Sequence, residues 1–446
     1  MHKRGLTIAA GAICCSALAA HGQAQQSPAW ISCVNKEKAA PDVQIDGCTS
    51  VIQAGKESQD SLAVAFNNRG NAYRDKGDND RAIADYNEAI RLNPKYAYPY
   101  NGRGNAYNDK RDYVRAIADY TEAIRFDPAY ASPHNGRGNA RRSKGERDAA
   151  LTDYAEAIRL DPNNALPYNG RGNVYYDKRD YDRAIADYNE ALKIDPKYVT
   201  AYNNRGLAYH RKEDHDRAIA DYNEAIRLNP QYAVAYDNRG DVYRAQKDYD
   251  RAIADYDEAI RIDPRYAIAY KDRGDVYRFT GEYDRAIADY NEALRINPSY
   301  TAAINNRSTA YEEKGEYAQA IAGYDQLVTL QPKVADWWNY RCWDRAIVGQ
   351  LQAALADCNE ALRLRPNHAS TLDSRGLVHL KLAQFDRAIA DYDAALKLEP
   401  KLAGSLYGRG VAKQKKGDTV GAEADMAAAA AIRANIGAEF VRYGVK

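Results

Sequence analysis

Ten prolines, at positions 94, 128, 162, 196, 230, 264, 298, 332, 366 and 400, recur every 34 residues, each closing an amphipathic stretch such as Ile90-Arg91-Leu92-Asn93-Pro94. A fixed period of this length describes a one-dimensional stack of small helical units, none large enough to bury its own apolar face alone. With each proline set at position 32, eleven repeats run from Ala63 to Ile436. Small residues recur at positions 8, 20 and 27, as Gly70, Ala82 and Ala89, where two helices must approach closely. Aromatics at positions 4, 11 and 24, as Phe66, Tyr73 and Tyr86, fill the remaining volume. A turn such as Lys76-Gly77-Asp78 or Thr280-Gly281-Glu282 separates a helix A from a helix B, and the proline stops helix B before the next repeat. Pro99, Pro133 and Pro167 fall at position 3, near the start of helix A, where a missing N–H costs little. The reading is all-α, with two helices per repeat and no strands.

The same set returns in Tyr202, Gly206, Tyr209, Ala218, Tyr222, Ala225 and Pro230, and it resembles the tetratricopeptide repeat. The resemblance covers 374 of the 446 residues. It implies a right-handed superhelical solenoid whose concave groove is lined by helix-A positions 2, 5, 9, 12 and 13. A fold does not name a partner, so function has to be sought in the residues at those positions.

Those positions carry distinctive chemistry. Position 5 holds Asn67, Asn101, Asn135, Asn169, Asn203, Asn305 and Asn339, and position 9 holds Asn71, Asn105, Asn139 and Asn173. The first four repeats therefore present two carboxamides each, one helical turn apart. An amide donates and accepts at once, which suits an extended peptide or a hydroxyl-rich polysaccharide; equally, such asparagines can hold neighbouring helices in register. Repeats 6 and 7 interrupt the row with Asp237, Asp241 and Arg244, then Lys271, Asp275 and Arg278. The resemblance also brings in the carboxylate-clamp binders of the family, which combine lysine at position 5 with asparagine at 9; no repeat here has both. Trp343, at position 9 of repeat 9 beside Trp337 and Trp338, is either an aromatic anchor for a ligand or local repacking.

Where the resemblance leads one to expect leucine at position 7, all eleven repeats carry arginine, from Arg69 and Arg103 to Arg409. Position 23 is aspartate in ten of the eleven, Gly323 being the exception. The two positions are equidistant from the turn, which predicts an Arg-to-Asp ladder joining helix A to helix B. Its role is register, since desolvation offsets much of the attraction. The competing partner for the aspartate is the arginine at position 19, as Arg81 with Asp85, and the competing role is an arginine row exposed to an anionic polymer.

The first 24 residues differ: Lys3 and Arg4 precede an apolar stretch from Leu6 to Ala20 and a small-x-small site, Gly22-Gln23-Ala24. This reads as a cleavable signal peptide, which places the mature chain in the periplasm or medium without a transmembrane segment. Cys14 and Cys15 raise lipidation as an alternative, against which Ile13 stands where a small residue is required. Four cysteines remain, and an oxidising compartment permits disulfides. Cys342 and Cys358 replace the usual glycine and tyrosine at positions 8 and 24 of repeat 9, symmetrically about its turn. Cys33 and Cys48 are symmetric about Ala40 and Pro41. Two bridges are expected, with buried free thiols the alternative; His368 and His379 lack the spacing of a zinc site. The domain plan is residues 1–24 signal, 25–62 a capping helical hairpin, 63–436 eleven repeats in one continuous array, and 437–446 a tail.

A net charge of +1 leaves no global field for nucleic acid or an anionic membrane. The 37 tyrosines against 5 phenylalanines follow from the repeat template. No phosphate loop, serine elbow or metal triad appears, and no cofactor is called for. The chain reads as a non-catalytic scaffold that captures proteins or peptides in its groove. The alternative is a structural part of an envelope or polysaccharide-export assembly.

Overall fold

The structure is a computed structural model that describes residues 27–34 and 40–445. The expected signal peptide and the lipidation alternative lie outside the described residues. Among those residues there are 25 helices and no strand.

Two compact units divide the chain, one ending at Leu228 and the other beginning at Asn229. In the N-terminal unit, α1 (Pro28–Val34) and α2 (Pro41–Ala54) form a hairpin ahead of the repeats. Next come α3 (Gln59–Asp75), α4 (Asn79–Leu92), α5 (Ala97–Asp109) and α6 (Tyr113–Phe126). Helices α7 to α10 fill residues 131–194, and α11 (Val199–Arg211) and α12 (His215–Leu228) complete the unit. The C-terminal unit opens with α13 (Ala233–Ala245), α14 (Tyr249–Ile262) and α15 (Ala267–Phe279). Helices α16 to α18 occupy residues 283–330, followed by α19 (Ala335–Ile347) and α20 (Leu351–Leu364). Helices α21 to α24 span residues 369–432, and α25 (Ile436–Arg442) ends the series. Within each unit every repeat helix packs on its neighbours in sequence, which is the packing of a solenoid.

Helix A takes positions 1–13 and helix B positions 17–30, as in α5 and α6. Position 15 has positive φ in every repeat, through glycine in six and through Arg111, Arg179, Glu213, Lys247 and Ala383 in the others. That conformation lets the N–H at position 16 reach the carbonyl at position 11, as Asp112 to Tyr107 at 2.8 Å, and closes helix A in a Schellman turn. Where position 16 is aspartate, helix B starts on its side chain: Asp78 and Asp112 each accept the backbone N–H three residues on, at 3.1 Å.

The tyrosine at position 24 is the centre of nine of the eleven repeats, Cys358 and Met426 taking its place in the others. Tyr86 is fully buried, wedged between Gly70 of its own repeat and Gly102 of the next. A Cβ on either glycine would come within 2.8 Å or 2.5 Å of the ring. The alanines at positions 20 and 27, Ala82 and Ala89, are fully buried beside it. Both cysteine pairs form disulfides, with Cα atoms 4.5 Å apart for Cys33–Cys48 and 5.4 Å for Cys342–Cys358. The second bridge occupies the seats of the glycine and the tyrosine, so it replaces packing with a covalent link.

Candidate functional site

The Arg-to-Asp ladder forms in all ten repeats that have both residues. Arg69 donates through Nε and Nη2 to the two oxygens of Asp85, both at 2.8 Å, and Arg205 grips Asp221 in the same way at 2.8 and 2.6 Å. The third arginine nitrogen reaches back to helix B of the preceding repeat, as Arg103 to Asn87 at 2.6 Å and Arg341 to Asp325 at 2.6 Å. Such an arginine ties three helices together, and the ladder aspartates are buried, as Asp153 at 2% exposure. The ladder belongs to the frame, not to an exposed anion-binding row. Arg81 does not compete for Asp85: it bonds Asp78 at 2.5 Å, and the position-19 arginines pair with the cap of their own helix. In repeat 8, Gly323 removes the carboxylate because a Cβ there would collide with Ser308 at position 8. Burial then holds the Arg307 guanidinium below its ordinary pKa.

On helix A the two asparagine positions separate. Position 9 faces the tyrosine hydroxyl of its own repeat: Tyr86 donates to Asn71 at 2.8 Å, Tyr120 to Asn105 at 2.8 Å, Tyr154 to Asn139 at 2.7 Å and Tyr188 to Asn173 at 2.8 Å. Each carboxamide is held by its oxygen, and its Nδ2 donors stay out of that bond. All four asparagines keep solvent contact. Position 5 lies deeper: Asn67, Asn101, Asn169 and Asn203 are buried, while Asn135 is half-buried. Asn101 donates to the hydroxyl of Tyr130 at 3.0 Å, so the tyrosine at position 34 covers it. The side-chain oxygens of Asn67, Asn101 and Asn135 are buried without a partner. Asn169 instead accepts from Asn204 at 3.0 Å, and Asn204 also bonds Asn173. The two carboxamides of a repeat therefore do different work, one packed inside and one at the surface.

In the C-terminal unit the same places hold carboxyls. Tyr256 donates to Asp241 at 2.9 Å and Tyr290 to Asp275 at 2.7 Å, repeating the tyrosine-to-position-9 bond. Arg244 adds a bond to Asp241 at 2.7 Å. Asp237, at position 5 of α13, is 3% exposed and accepts only the Tyr266 hydroxyl, at 3.2 Å on Oδ2; its Oδ1 is buried without a partner. Asp272, at position 6 of α15, is equally buried and bonds Lys271 at 2.5 Å, while Lys271 also approaches Asp275 at 3.4 Å. Burial, reinforced by the charges of Asp272 and Asp241, pushes Asp237 up to about 8. Asp272 is raised as well, chiefly by burial. Arg278 bonds Glu313 at 2.9 Å and also lies within electrostatic reach of Asp275.

Sequence reasoning missed Asp272 and Tyr266. The signal was available for Asp272, since position 6 is otherwise glycine, asparagine, tyrosine or serine. It also missed Asp344 of α19, fully buried with both oxygens unpartnered, whose pKa burial and the neighbouring Glu312 raise strongly. Trp343 is not open to a ligand as an isolated anchor. Its ring meets Tyr443 edge-on at 5.2 Å, and Lys381 donates to the Tyr443 carbonyl at 2.6 Å, so the segment after α25 covers it.

Family profiles agree with the helical repeat. Profiles described as TPR repeat match residues 70–111, 104–141, 138–179 and 172–213. Profiles described as tetratricopeptide repeat match 198–265, 231–299, 280–341 and 374–438. The chain belongs to the tetratricopeptide-repeat family. It is an all-α member built on the scaffold fold of protein-binding repeats. No curated protein matches its sequence. Among solved structures it is similar to a tetratricopeptide repeat protein from Parabacteroides merdae ATCC 43184, with 21% identity, 56% of this chain and 98% of that chain covered, and a TM-score of 0.47. It is also similar to MamA, with 31% identity, 36% and 94% covered, and a TM-score of 0.33. The third is the APC/C hetero-tetramer Cut9-Hcn1, with 15% identity, 95% and 97% covered, and a TM-score of 0.45. No helix among the described residues is long and apolar enough to cross a membrane.

Proposed function

We propose that the chain is a non-catalytic scaffold, working outside the cytoplasm, that captures an extended protein segment along its helix-A face. The observation that carries this reading is the row Asn71, Asn105, Asn139 and Asn173. Each has its carbonyl end immobilised by a tyrosine hydroxyl. A held carboxamide has lost its rotational freedom before any ligand arrives, so its N–H donors meet a peptide carbonyl at reduced entropic cost. Donors repeated at one position per repeat match a ligand that is itself repetitive, and an extended backbone supplies a carbonyl at every residue. The buried ladder and the tyrosine core leave helix A as the face free to vary. The location outside the cytoplasm draws support from the two disulfides.

The test replaces Asn71, Asn105, Asn139 and Asn173 together by aspartate. Repeats 6 and 7 carry aspartate at this position and keep the tyrosine bond, so the frame survives while four donors are lost. Affinity capture from envelope extract is then compared with the unaltered chain, followed by photo-crosslinking from position 105. A partner retained only by the unaltered chain and crosslinked at 105 supports capture on this face. Equal capture by both moves the function to another surface.

A further inference from the structure

The carboxyls of α13 and α15 differ from the ladder aspartates of the repeats. Each ladder aspartate is gripped by two nitrogens of an arginine, so its burial is compensated inside the chain. Asp237, Asp241, Asp272 and Asp275 face Arg244 and Lys271, with Arg278 within electrostatic reach of Asp275. All three are already committed, Arg244 to Asp241, Lys271 to Asp272 and Asp275, and Arg278 to Glu313. The neutral donors at hand are Tyr256, Tyr266, Tyr290 and Asn306, and they too are spent on Asp241, Asp237 and Asp275. Asp237 ends with one oxygen buried and bare. A desolvated carboxyl in that condition is a large local cost, relieved by a proton or by a cation.

The sequence supplies a second indication. Position 5 is asparagine in repeats 1 to 5, and position 9 is asparagine in repeats 1 to 4. Asparagine and aspartate have the same shape, and the tyrosine bond to position 9 is made equally well by either. The frame therefore has no need of carboxyls at 237 and 241, and what they add is a group that can carry charge.

We propose that this part of the helix-A face is the seat for one basic side chain, arginine or lysine, of a captured segment, received by Asp237, Asp241 and Asp272. The inference rests on the capture reading above and adds to it the chemistry of one residue of the partner. Tyr266, which covers Asp237 through a single hydroxyl bond, is the group that yields as the cation enters. Asp241 keeps the most solvent contact of the three, its side chain 31% exposed, and meets the cation first. Because Asp237 holds its proton near neutrality, seating the cation expels that proton. Affinity then rises with pH, from about 6 to about 9.

The experiment uses the full chain and a fluorescent extended peptide, Gly-Ser-Gly-Arg-Gly-Arg-Gly-Ser-Gly, beside the same peptide with citrulline in place of both arginines. Asp237→Asn, Asp241→Asn and Asp272→Asn are combined; each puts at its position a residue that another repeat already carries there. A control removes three exposed acids, Asp216→Asn, Asp250→Asn and Asp284→Asn. The arginine peptide is expected to bind at least about tenfold more tightly than the citrulline peptide, and the site variant to lose at least about tenfold while the control stays within about twofold. The unaltered chain should also release a proton on binding, read as a dependence of the calorimetric heat on buffer ionisation enthalpy. Equal loss in the control and the site variant, or no preference for arginine over citrulline, overturns the seat. If the seat fails while the position-9 variant of the capture test still loses its partner, the capture reading stands without it. If both variants behave like the unaltered chain, both readings fall.

Discussion

The two units solve one packing problem with different surface chemistry. In the N-terminal unit the tyrosine hydroxyl of position 24 is received by asparagine, as at Asn71 and Asn173, and in the C-terminal unit by aspartate at 241 and 275. The bond lengths are alike, 2.8 Å at Asn173 and 2.9 Å at Asp241, because the accepting oxygen sits in the same place. The difference lies in what remains on the side chain, a pair of N–H donors in one case and a charge in the other. A solenoid whose stability is a sum over repeats can change one helix-A residue without disturbing its neighbours. The frame is therefore uniform, and the face it presents is not.

The largest expected effect tests that uniformity. Asp153→Ala strips the carboxylate from Arg137 and Arg141, and Asp391→Ala strips it from Arg375. Each should cost about 3 kcal/mol, reduced somewhat because the arginines keep some solvent contact. Hydrogen exchange of the flanking helices reads both, and a much smaller loss in one unit would show that the frame differs after all. Reducing the Cys342–Cys358 bridge should also cost about 3 kcal/mol in the chain-entropy model. The double change Cys342→Gly with Cys358→Tyr restores the pattern of the other repeats and should make repeat 9 insensitive to reductant. Retained sensitivity would mean that the fold of α19 and α20 depends on the covalent link itself.

A pH titration separates the units at intermediate size. The folded-state pKa of Asp237 is raised to about 8, so its contribution to stability is intact below the unfolded-state value near 4 and is lost as pH rises through about 8. Asp237→Asn should stabilise the C-terminal unit by about 2 kcal/mol at pH near 9 and by next to nothing at pH near 4. Asn67, at the same position in the N-terminal unit, has no such titration, so α3 should show no matching change in exchange rates. The smallest effect concerns turns. Lys247→Gly in one unit and Glu213→Gly in the other each relieve a side chain at φ 61°, for a gain of about 0.5 kcal/mol in chemical denaturation. A loss in either would show that the side chain at position 15 makes a contact worth more than the strain.

Much of the frame was legible because its information is local. The arginine at position 7 and the aspartate at 23 are symmetric about a short turn, so antiparallel helices must bring them level. The same symmetry placed Cys342 opposite Cys358 and Cys33 opposite Cys48. The candidate site was less legible. Positions 5 and 9 lie one helical turn apart on helix A, yet Asn101 is covered by Tyr130 from the turn beyond helix B. Nothing within α5 itself announces that cover. The choice between anchor and repacking at Trp343 stayed open for a similar reason: Tyr443, whose ring meets it, is a hundred positions away.

By itself the sequence determined the all-α class and the phase of the repeats, and it set the ladder residues and the cysteines of each pair level with one another. Each of these is set by a period or by symmetry about one turn, and neither requires knowing how repeats meet. Only the tertiary structure decided which asparagine of each repeat is buried, which carboxyls lack a cation, and that the chain's own tail covers Trp343. Burial and desolvation depend on atoms that neighbouring repeats bring together, and no single repeat encodes them.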